Sequence, residues 1–220
     1  MQYSRSSIHS PFSIIDKLYS LDFTLFFSIL LLGIISIFAQ FSSSGGVFDY
    51  YSKSHALRFC IFFILFLGVS FTSIKFWHST SFLFFFILLL LLLFVKFYGI
   101  QSQGSRRWVN LFIINLQPSE IMKIGIILFL SNYYHKISEG DVNKVRFLLY
   151  PVIAILAPFI LVLSQPDLGT AILILLSGMV VTWLAGVRWK IFAYLSLAAI
   201  VTAPIAISFL KPYQKSRILT

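Results

Sequence analysis

Long apolar runs, separated by short polar segments, make up most of this chain. A helix needs about 20 mostly apolar residues to cross the hydrocarbon core of a bilayer. The segments that meet or approach this length are residues 23–41, 56–74, 76–98, 118–133, 147–164, 168–186 and 191–210. The pattern therefore predicts an all-α, polytopic membrane helix bundle. Because no internal repeat or second domain is visible, we expect the bundle to form a single integral membrane domain over residues 1–220.

Helix-boundary signals support several of these segments. The flexible stretch SSSGG, residues 42–46, ends the first segment. Pro118 begins the fourth, where a first-turn proline is tolerated because its missing N–H would have no partner anyway. Asp167 precedes LGTAILILL and is a natural N-cap. The polar segments between the helices include an expected outer loop at 99–117 and the start of a large outer loop at 211–220.

The N-terminal residues 1–21 are polar and contain neither an apolar core nor a small-residue cleavage site. They are therefore not a removable signal peptide, and the first membrane helix is expected to act as a retained insertion signal. Counting spans from a cytoplasmic N-terminal tail puts equal numbers of lysines and arginines on the two sides of the membrane. Charge therefore does not fix the orientation by the positive-inside rule.

Composition agrees with a membrane protein. The chain is 59% hydrophobic and 11% charged, with a mean hydropathy of +0.92, whereas soluble domains carry about 25% charged residues. The net charge of +10 indicates anionic lipid headgroups or an anionic substrate as partners. No basic run, zinc signature or RNA-binding motif supports nucleic acid. Cys60 is the only cysteine, so an intrachain disulfide is impossible, and the scattered histidines form no metal-ligand pattern.

Arg106, Arg107 and Trp108 form the first polar group of interest. One interpretation is an interfacial anchor, with the tryptophan in the aromatic belt and the arginines extended to headgroups. The other is an anion site, because guanidinium groups bind phosphate oxygens in a bidentate manner. Two adjacent arginines would suit a diphosphate.

Glu120 and Lys123 share a helix face in the first turn after Pro118. An unpaired charge entering the membrane is costly, so the pair is expected to face the bundle interior. It serves either as a self-neutralising structural pair or as part of an outer cavity that positions substrate. Both interpretations can hold together.

The stretch SQPDLGTA contains Gln165, Pro166 and Asp167 between two predicted helices. Asp167 serves as an N-cap on the simplest interpretation. An acid at the mouth of a bundle could also hold a divalent cation or a basic residue from another loop. Asp167 is therefore a candidate metal ligand, and no cofactor is otherwise indicated.

The last polar group is KPYQKSRILT, which contains Tyr213 and Arg217. As a juxtamembrane tail it would bind anionic headgroups. Counting spans puts all of these groups on one side of the membrane, and a shared polar cavity explains that placement better than chance.

Three blocks, GSRRWVNLFIINLQPSEIMK, SQPDLGTAILILLSG and YQKSRI, in this order and spacing, resemble the SEDS family (shape, elongation, division and sporulation proteins). The resemblance covers nearly the whole chain and is closest to the rod-shape members. It implies a ten-helix fold, of which about seven helices would lie here. It also implies polymerisation of lipid II into peptidoglycan strands on the outer face of the cytoplasmic membrane, during cell-wall elongation, with a class B penicillin-binding protein as partner. It places the N-terminus inside.

Carried over onto this sequence, the resemblance implies a set of substrate-binding residues, supplemented by the neighbouring arginine: Arg106, Arg107, Trp108, Glu120, Lys123, Gln165, Asp167, Tyr213 and Arg217. The helix-start positions Pro118, Ser119, Pro166, Gly169 and Thr170 also match the family. Val109 and Leu116 depart from it conservatively.

The family's proposed catalytic aspartate lies in a long outer loop that would follow Thr220. The expectation is therefore that this chain is the N-terminal portion of the enzyme and inactive alone. Two alternatives remain open: a lipid II flippase, and a non-catalytic scaffold of the elongation machinery.

Overall fold

The computed structural model describes residues 21–102, 105–110, 115–138 and 140–194, together with 197 and 201. Contacts divide the chain into two units, which meet in the sequence at Ser73 and Ile74. The first unit contains helices α1 (Phe23–Ser43) and α2 (Tyr50–Ser70). The second contains the remaining elements in the order α3 (Ile74–Tyr98), β1 (Ile100–Ser102), β2 (Ser105–Asn110), β3 (Asn115–Leu116), α4 (Pro118–His135), α5 (Val145–Ser164) and α6 (Leu168–Leu184). Residues 189–194 begin a further helix.

Capping residues set several helix starts. The Asp22 carboxylate accepts hydrogen bonds from the backbone N–H groups of Thr24 and Leu25, at 2.9 and 3.1 Å. Asp49 accepts from Ser52 N–H at 2.8 Å, and α2 therefore begins at Tyr50 rather than near the predicted residue 56. The polar turn before the apolar run is helical because its cap satisfies an otherwise free N–H.

In the first unit, α1 and α2 approach closely at Gly33. A Cβ atom added there would lie 1.9 Å from the Phe59 ring, so this contact requires glycine. Farther along the same helix pair, the Ser36 hydroxyl and the His55 Nε2 atom are 3.0 Å apart. The hydroxyl groups of Ser44, at the end of α1, and Ser52 of α2 are 3.2 Å apart. A small residue and two polar contacts thus join α1 to α2.

The core of the second unit lies between α3, α4, α5 and α6. Large side chains with negligible exposure fill it: Leu92, Val95, Met122, Ile126, Leu130, Val162 and Ile174. Gly178 of α6 packs against Ile155 of α5 so tightly that an added Cβ would lie 2.5 Å from Ile155 Cγ1. Close backbone approach at small residues is the usual way in which membrane helices associate.

The outward faces of the helices are apolar. Leu83 and Leu90 of α3, for example, are each 64% exposed. Among the described helices, α1, α2, α3 and α5 are long and apolar enough to cross a bilayer, whereas α6 is apolar but has 17 residues. Exposed apolar faces of this extent require lipid around them. The chain is therefore a multi-pass membrane protein, and the predicted helix bundle is confirmed.

A small antiparallel sheet of order β1-β2-β3 occupies part of the segment 99–117, which the sequence predicted only as a loop. Ile100 pairs with Trp108, and Val109 pairs with Leu116. We call the end of the second unit that carries this sheet, defined by Tyr98, Pro118, Ser164 and Leu168, the strand end. The opposite end, defined by Ile74, His135, Val145 and Leu184, is the loop end.

Two side chains organise the loop end. Asn132 of α4 is buried and donates hydrogen bonds to the His78 carbonyl at 2.7 Å and the Ser81 hydroxyl at 2.5 Å, which links α4 to α3. Asn143 accepts from Arg188 N–H at 2.9 Å and donates to the Gly186 carbonyl at 3.3 Å. The connection between α4 and α5 is thereby fastened to the segment that follows α6.

Candidate functional site at the strand end

Arg107 of β2 reaches the turn between α5 and α6. Its Nη2 donates to the Pro166 carbonyl at 2.9 Å, and its Nε donates to the Gln165 carbonyl at 3.3 Å. Its Nη1 lies 3.6 Å from Asp167 Oδ2. The C-terminal end of a helix carries unsatisfied carbonyls and partial negative charge, which a guanidinium group neutralises well. One side chain therefore joins the sheet to two helix ends.

Asp167 is the acceptor on which this arrangement converges. Its Oδ1 accepts from Thr170 N–H at 3.3 Å, so the predicted N-cap of α6 is present. Its Oδ2 accepts from Gln117 Nε2 at 3.1 Å as well as facing Arg107. Gln117 Nε2 also lies 3.1 Å from the Ser119 hydroxyl. We call Arg107, Gln117, Ser119, Gln165 and Asp167 the strand-end network.

Gln165 anchors this network to the core. The residue is 4% exposed, and its Nε2 donates to the Leu92 carbonyl of α3 at 3.0 Å. A buried amide without such a partner would cost about 1–3 kcal/mol. The network thus connects α3, β2, α4, α5 and α6 at one end of the bundle.

Arg106 has a different neighbour from Arg107. Its Nη1 donates to the Phe97 carbonyl in the last turn of α3, at 2.8 Å. Consecutive side chains of a strand point to opposite faces, and the two guanidinium groups accordingly bind different helix ends. The structure does not bring the two guanidinium groups together as one bidentate anion site, and their joint binding of a diphosphate stays a prediction. Trp108 is partly buried beside them.

Glu120 and Lys123 form the expected pair in the first turns of α4, with Lys123 Nζ 2.8 Å from Glu120 Oε2. The Glu120 side chain is 52% exposed and that of Lys123 is 25% exposed. Pro118 and Ser119 are buried just before them. The prediction that the pair faces the bundle interior is therefore wrong for the Glu120 carboxylate, which lies on the exposed side of the helix, beside the strand-end network.

The described part of the chain contains no group of three or more histidine, cysteine or acidic side chains that could hold a metal ion. The oxygens of Asp167 instead face Arg107, Gln117 and Thr170. Of its two suggested roles, orientation of a basic residue has direct geometric support. Its role as a ligand of a divalent cation has none among these contacts.

Tyr213 and Arg217, and with them the segment 211–220, lie outside the described residues. Sequence reasoning missed Gln117 as a member of the site. The available signal was a polar amide directly before the helix-starting Pro118, at the position from which a side chain can reach back over the helix end.

Comparison with known proteins identifies the class to which this helix bundle belongs. A family described as "Cell cycle protein", the group of FtsW, RodA and SpoVE, matches residues 19–220. The chain therefore belongs to this family, and the resemblance to SEDS proteins is confirmed.

Among relatives, the peptidoglycan glycosyltransferase MrdB of Helicobacter pylori is 34% identical over 210 residues, covering 93% of this chain and 54% of the relative. The probable peptidoglycan glycosyltransferase FtsW of Buchnera aphidicola is 32% identical over 171 residues, covering 78% of this chain and 45% of the relative. The chain thus spans about half the length of the curated relatives it matches.

Solved structures share the fold. The crystal structure of the rod shape determining protein RodA of Thermus thermophilus matches with a TM-score of 0.69 at 24% identity, covering 84% of this chain and 60% of that one. A chain from a structure on coordination of polymerization and crosslinking by a peptidoglycan synthase complex matches with a TM-score of 0.69 at 25% identity, covering 88% of this chain and 57% of that one.

Proposed function

We propose that the protein is a peptidoglycan glycosyltransferase that polymerises lipid II, the undecaprenyl diphosphate-linked disaccharide peptide, into glycan strands during cell-wall elongation. The observation that carries the proposal is the strand-end network, in which Asp167 and two helix ends fix the Arg107 guanidinium beside the open Glu120–Lys123 pair. The names of the relatives, peptidoglycan glycosyltransferases MrdB and FtsW, support the same reaction.

In this proposal the protein lies in the bacterial cytoplasmic membrane with its N-terminus in the cytoplasm. The strand end then faces outward, where the disaccharides of lipid II are joined. The loop end faces the cytoplasm. The even distribution of lysines and arginines is accounted for if the cations of the strand end are kept there by their role in binding anions.

The proposed reaction joins two lipid-linked sugars. The donor reacts at its anomeric carbon and releases undecaprenyl diphosphate, while the 4-hydroxyl of the acceptor attacks and loses its proton to a carboxylate base. Preorganised cations stabilise the negative charge that develops on the departing diphosphate. Neither described carboxylate of the strand end is assigned as that base, because Asp167 is held by Arg107 and Glu120 is paired with Lys123.

We assign the departing diphosphate to the cationic side chains Arg106, Arg107 and Arg217. Asp167 positions Arg107, and Gln165 fixes the turn that both contact. Glu120 and Lys123 shape the adjacent wall with Trp108 and Tyr213. An arginine already bound to carbonyls and a carboxylate loses little conformational freedom when it meets an anion, which favours preorganised stabilisation over a mobile cation.

A class B penicillin-binding protein is the proposed partner, which crosslinks the strands that this protein polymerises. The matched chain from a peptidoglycan synthase complex supports such an assembly, since polymerization and crosslinking are coordinated in that complex. Membrane lipids are the remaining partners, and nucleic acid is not among them.

To test the proposal, the complete reading frame that encodes this chain is purified in detergent with a class B penicillin-binding protein and given lipid II. Glycan polymer on a gel is the expected result. Because detergent micelles have no two compartments, a flippase would produce no signal in this assay. If no polymer forms but lipid II is transferred across the membrane of sealed vesicles, the protein is a transporter and the glycosyltransferase proposal is wrong. Absence of both activities would support the remaining alternative, a non-catalytic scaffold of the elongation machinery.

A further inference from the structure

A cavity of about 70 Å³ lies at the loop end of the second unit, between the first turns of α5, the last turns of α6 and the helix that begins at residue 189. Its lining exposes only apolar atoms, from side chains that include Leu148, Val152, Met179 and Phe192. Thr182 contributes no polar surface because its hydroxyl donates to the Gly178 carbonyl at 2.8 Å. The cavity therefore suits a hydrocarbon segment and not a polar ligand.

Exposed aromatic side chains lie close in the sequence to the residues that line this cavity. Tyr150, Trp183 and Trp189 are 64%, 56% and 67% exposed. Amphipathic aromatic side chains of membrane helices concentrate at the headgroup level. The cavity is thus placed just inside the boundary between headgroups and acyl chains.

Cations adjoin the cavity residues in the segment that follows α6. Arg188 and Lys190 flank the cavity residues Val187 and Ile191 in the sequence, and both cations are exposed. The bonds of Asn143 to the backbone of Gly186 and Arg188 hold this segment against the connection between α4 and α5. Among the described residues, neither Arg188 nor Lys190 forms a salt bridge with a carboxylate, whereas the charge of Arg146 helps to lower the pKa of the Asp141 carboxyl.

We infer that the loop end binds an anionic phospholipid, with a segment of one acyl chain in the α5–α6 cavity and the headgroup phosphate on Arg188 and Lys190. An apolar slot beneath unpaired cations matches both halves of such a lipid, whereas a zwitterionic headgroup would offer the cations no net charge. The site lies at the opposite end of the unit from the strand-end network and does not depend on the proposed enzymatic activity.

The test uses the full chain in neutral detergent and measures thermal unfolding and bound lipid by native mass spectrometry. Dioleoyl phosphatidylglycerol and dioleoyl phosphatidylcholine are compared, because they share acyl chains and differ in net charge. The expected result is retention of phosphatidylglycerol and a concentration-dependent rise in Tm that phosphatidylcholine does not give. Inorganic phosphate, the headgroup chemistry without an acyl chain, is expected to give no rise.

Two variants separate the two halves of the site. The double variant Arg188→Gln, Lys190→Gln is expected to weaken phosphatidylglycerol binding by about thirtyfold. Its matched control is Lys53→Gln, Arg58→Gln, which removes the same charge from exposed positions of α2 and is expected to retain binding. Val152→Phe fills the cavity and is expected to reduce binding while every cation remains.

Equal stabilisation by the two lipids would show a bulk acyl-chain effect and overturn the inference. Equal weakening by the α2 control would show attraction by net charge alone and would also overturn it. Stabilisation by inorganic phosphate at the same concentration would show that binding does not need the cavity, and it would also overturn the inference. If Val152→Phe fails to fold, the paired charge variants still decide the outcome.

Discussion

Arg107 Nη1 and Asp167 Oδ2 lie 3.6 Å apart, and through this contact strand β2 is fastened to the start of α6. Both side chains are mostly buried, at 22% and 13% exposure. The same guanidinium satisfies the Gln165 and Pro166 carbonyls, so the ion pair is one part of a shared set of hydrogen bonds. Structural stability and the proposed anion binding therefore depend on the same atoms.

This sharing predicts non-additive effects on stability. Arg107→Ala is expected to lower the free energy of unfolding by about 2–3 kcal/mol, because hydrogen bonds to charged groups are lost and Asp167 keeps an unpaired charge. Asp167→Asn should cost about 1 kcal/mol, since an asparagine still caps α6. The double variant should cost less than the sum, by at least about 0.5 kcal/mol. Unfolding in mixed detergent micelles measures all three values, and strict additivity would show that the pair is uncoupled.

Gln165 offers a test of the buried anchor. Gln165→Met keeps the volume and removes the donor to the Leu92 carbonyl, and it is expected to cost about 1 kcal/mol. Gln165→Glu places a carboxyl against that carbonyl in a buried position and is expected to cost more, about 2–4 kcal/mol at neutral pH. Thermal unfolding of the two purified variants supplies the comparison. A glutamate variant as stable as the methionine variant would argue against the described contact.

The α5–α6 packing at Gly178 predicts opposite effects at two glycines of one helix. Gly178→Ala forces an added Cβ against Ile155 and should destabilise the fold by about 1–2 kcal/mol, after the gain in helix propensity. Gly169→Ala meets no atom within 4 Å and should be neutral or stabilising by up to about 1 kcal/mol. Ile155→Ala should make Gly178→Ala tolerated, because the contacting atoms are gone. The same unfolding assay measures the set, and equal effects at both glycines would refute the packing.

Asp141, in the connection between α4 and α5, predicts a local dependence on pH. A hydrogen bond from the Lys144 ammonium group, helped by Ser138, holds the pKa of the Asp141 carboxyl below its ordinary value of 3.8. Because the pKa is lower in the folded state, this bond stabilises the fold above pH 3.8 and the stabilisation is lost as pH falls through the folded pKa. Lys144→Gln should raise the carboxyl titration midpoint, measured by ¹³C NMR, whereas Lys136→Gln should not. An unmoved midpoint in Lys144→Gln would exclude the bond.

Local signals in the sequence predicted the helix starts at Pro118 and Leu168 correctly, because a first-turn proline and a capping aspartate act on neighbouring N–H groups. The Glu120–Lys123 pair was predictable for the same reason, since helix geometry alone brings positions three apart together. The start of α2 at Tyr50 was not predicted, because the first turn of this helix is polar and the sequence prediction followed the apolar run. The capping by Asp49, which begins the helix earlier, was overlooked.

Long-range contacts could not be predicted in this way. The sequence suggested that Asp167 could hold a basic residue from another loop, but it did not identify Arg107 as that residue, because the contact depends on how three segments pack. The opposite directions of Arg106 and Arg107 required knowledge that residues 105–110 form a strand rather than an irregular loop. The sequence therefore indicated some of the residues that the structure brings together, such as Arg107, Gln165 and Asp167, but missed Gln117, and the packing determined which of them touch.

Arg107, fixed by Asp167, is proposed to serve the polymerisation of lipid II. The most direct measurement is the initial rate of glycan formation by the full-length protein with the proposed class B penicillin-binding protein, comparing Arg107→Ala with Arg58→Ala. We expect Arg107→Ala to lower the rate by about 10²–10³-fold, as for removal of one preorganised donor, while Arg58→Ala, in exposed α2 sequence, retains it. Full activity of a folded Arg107→Ala protein would contradict the account.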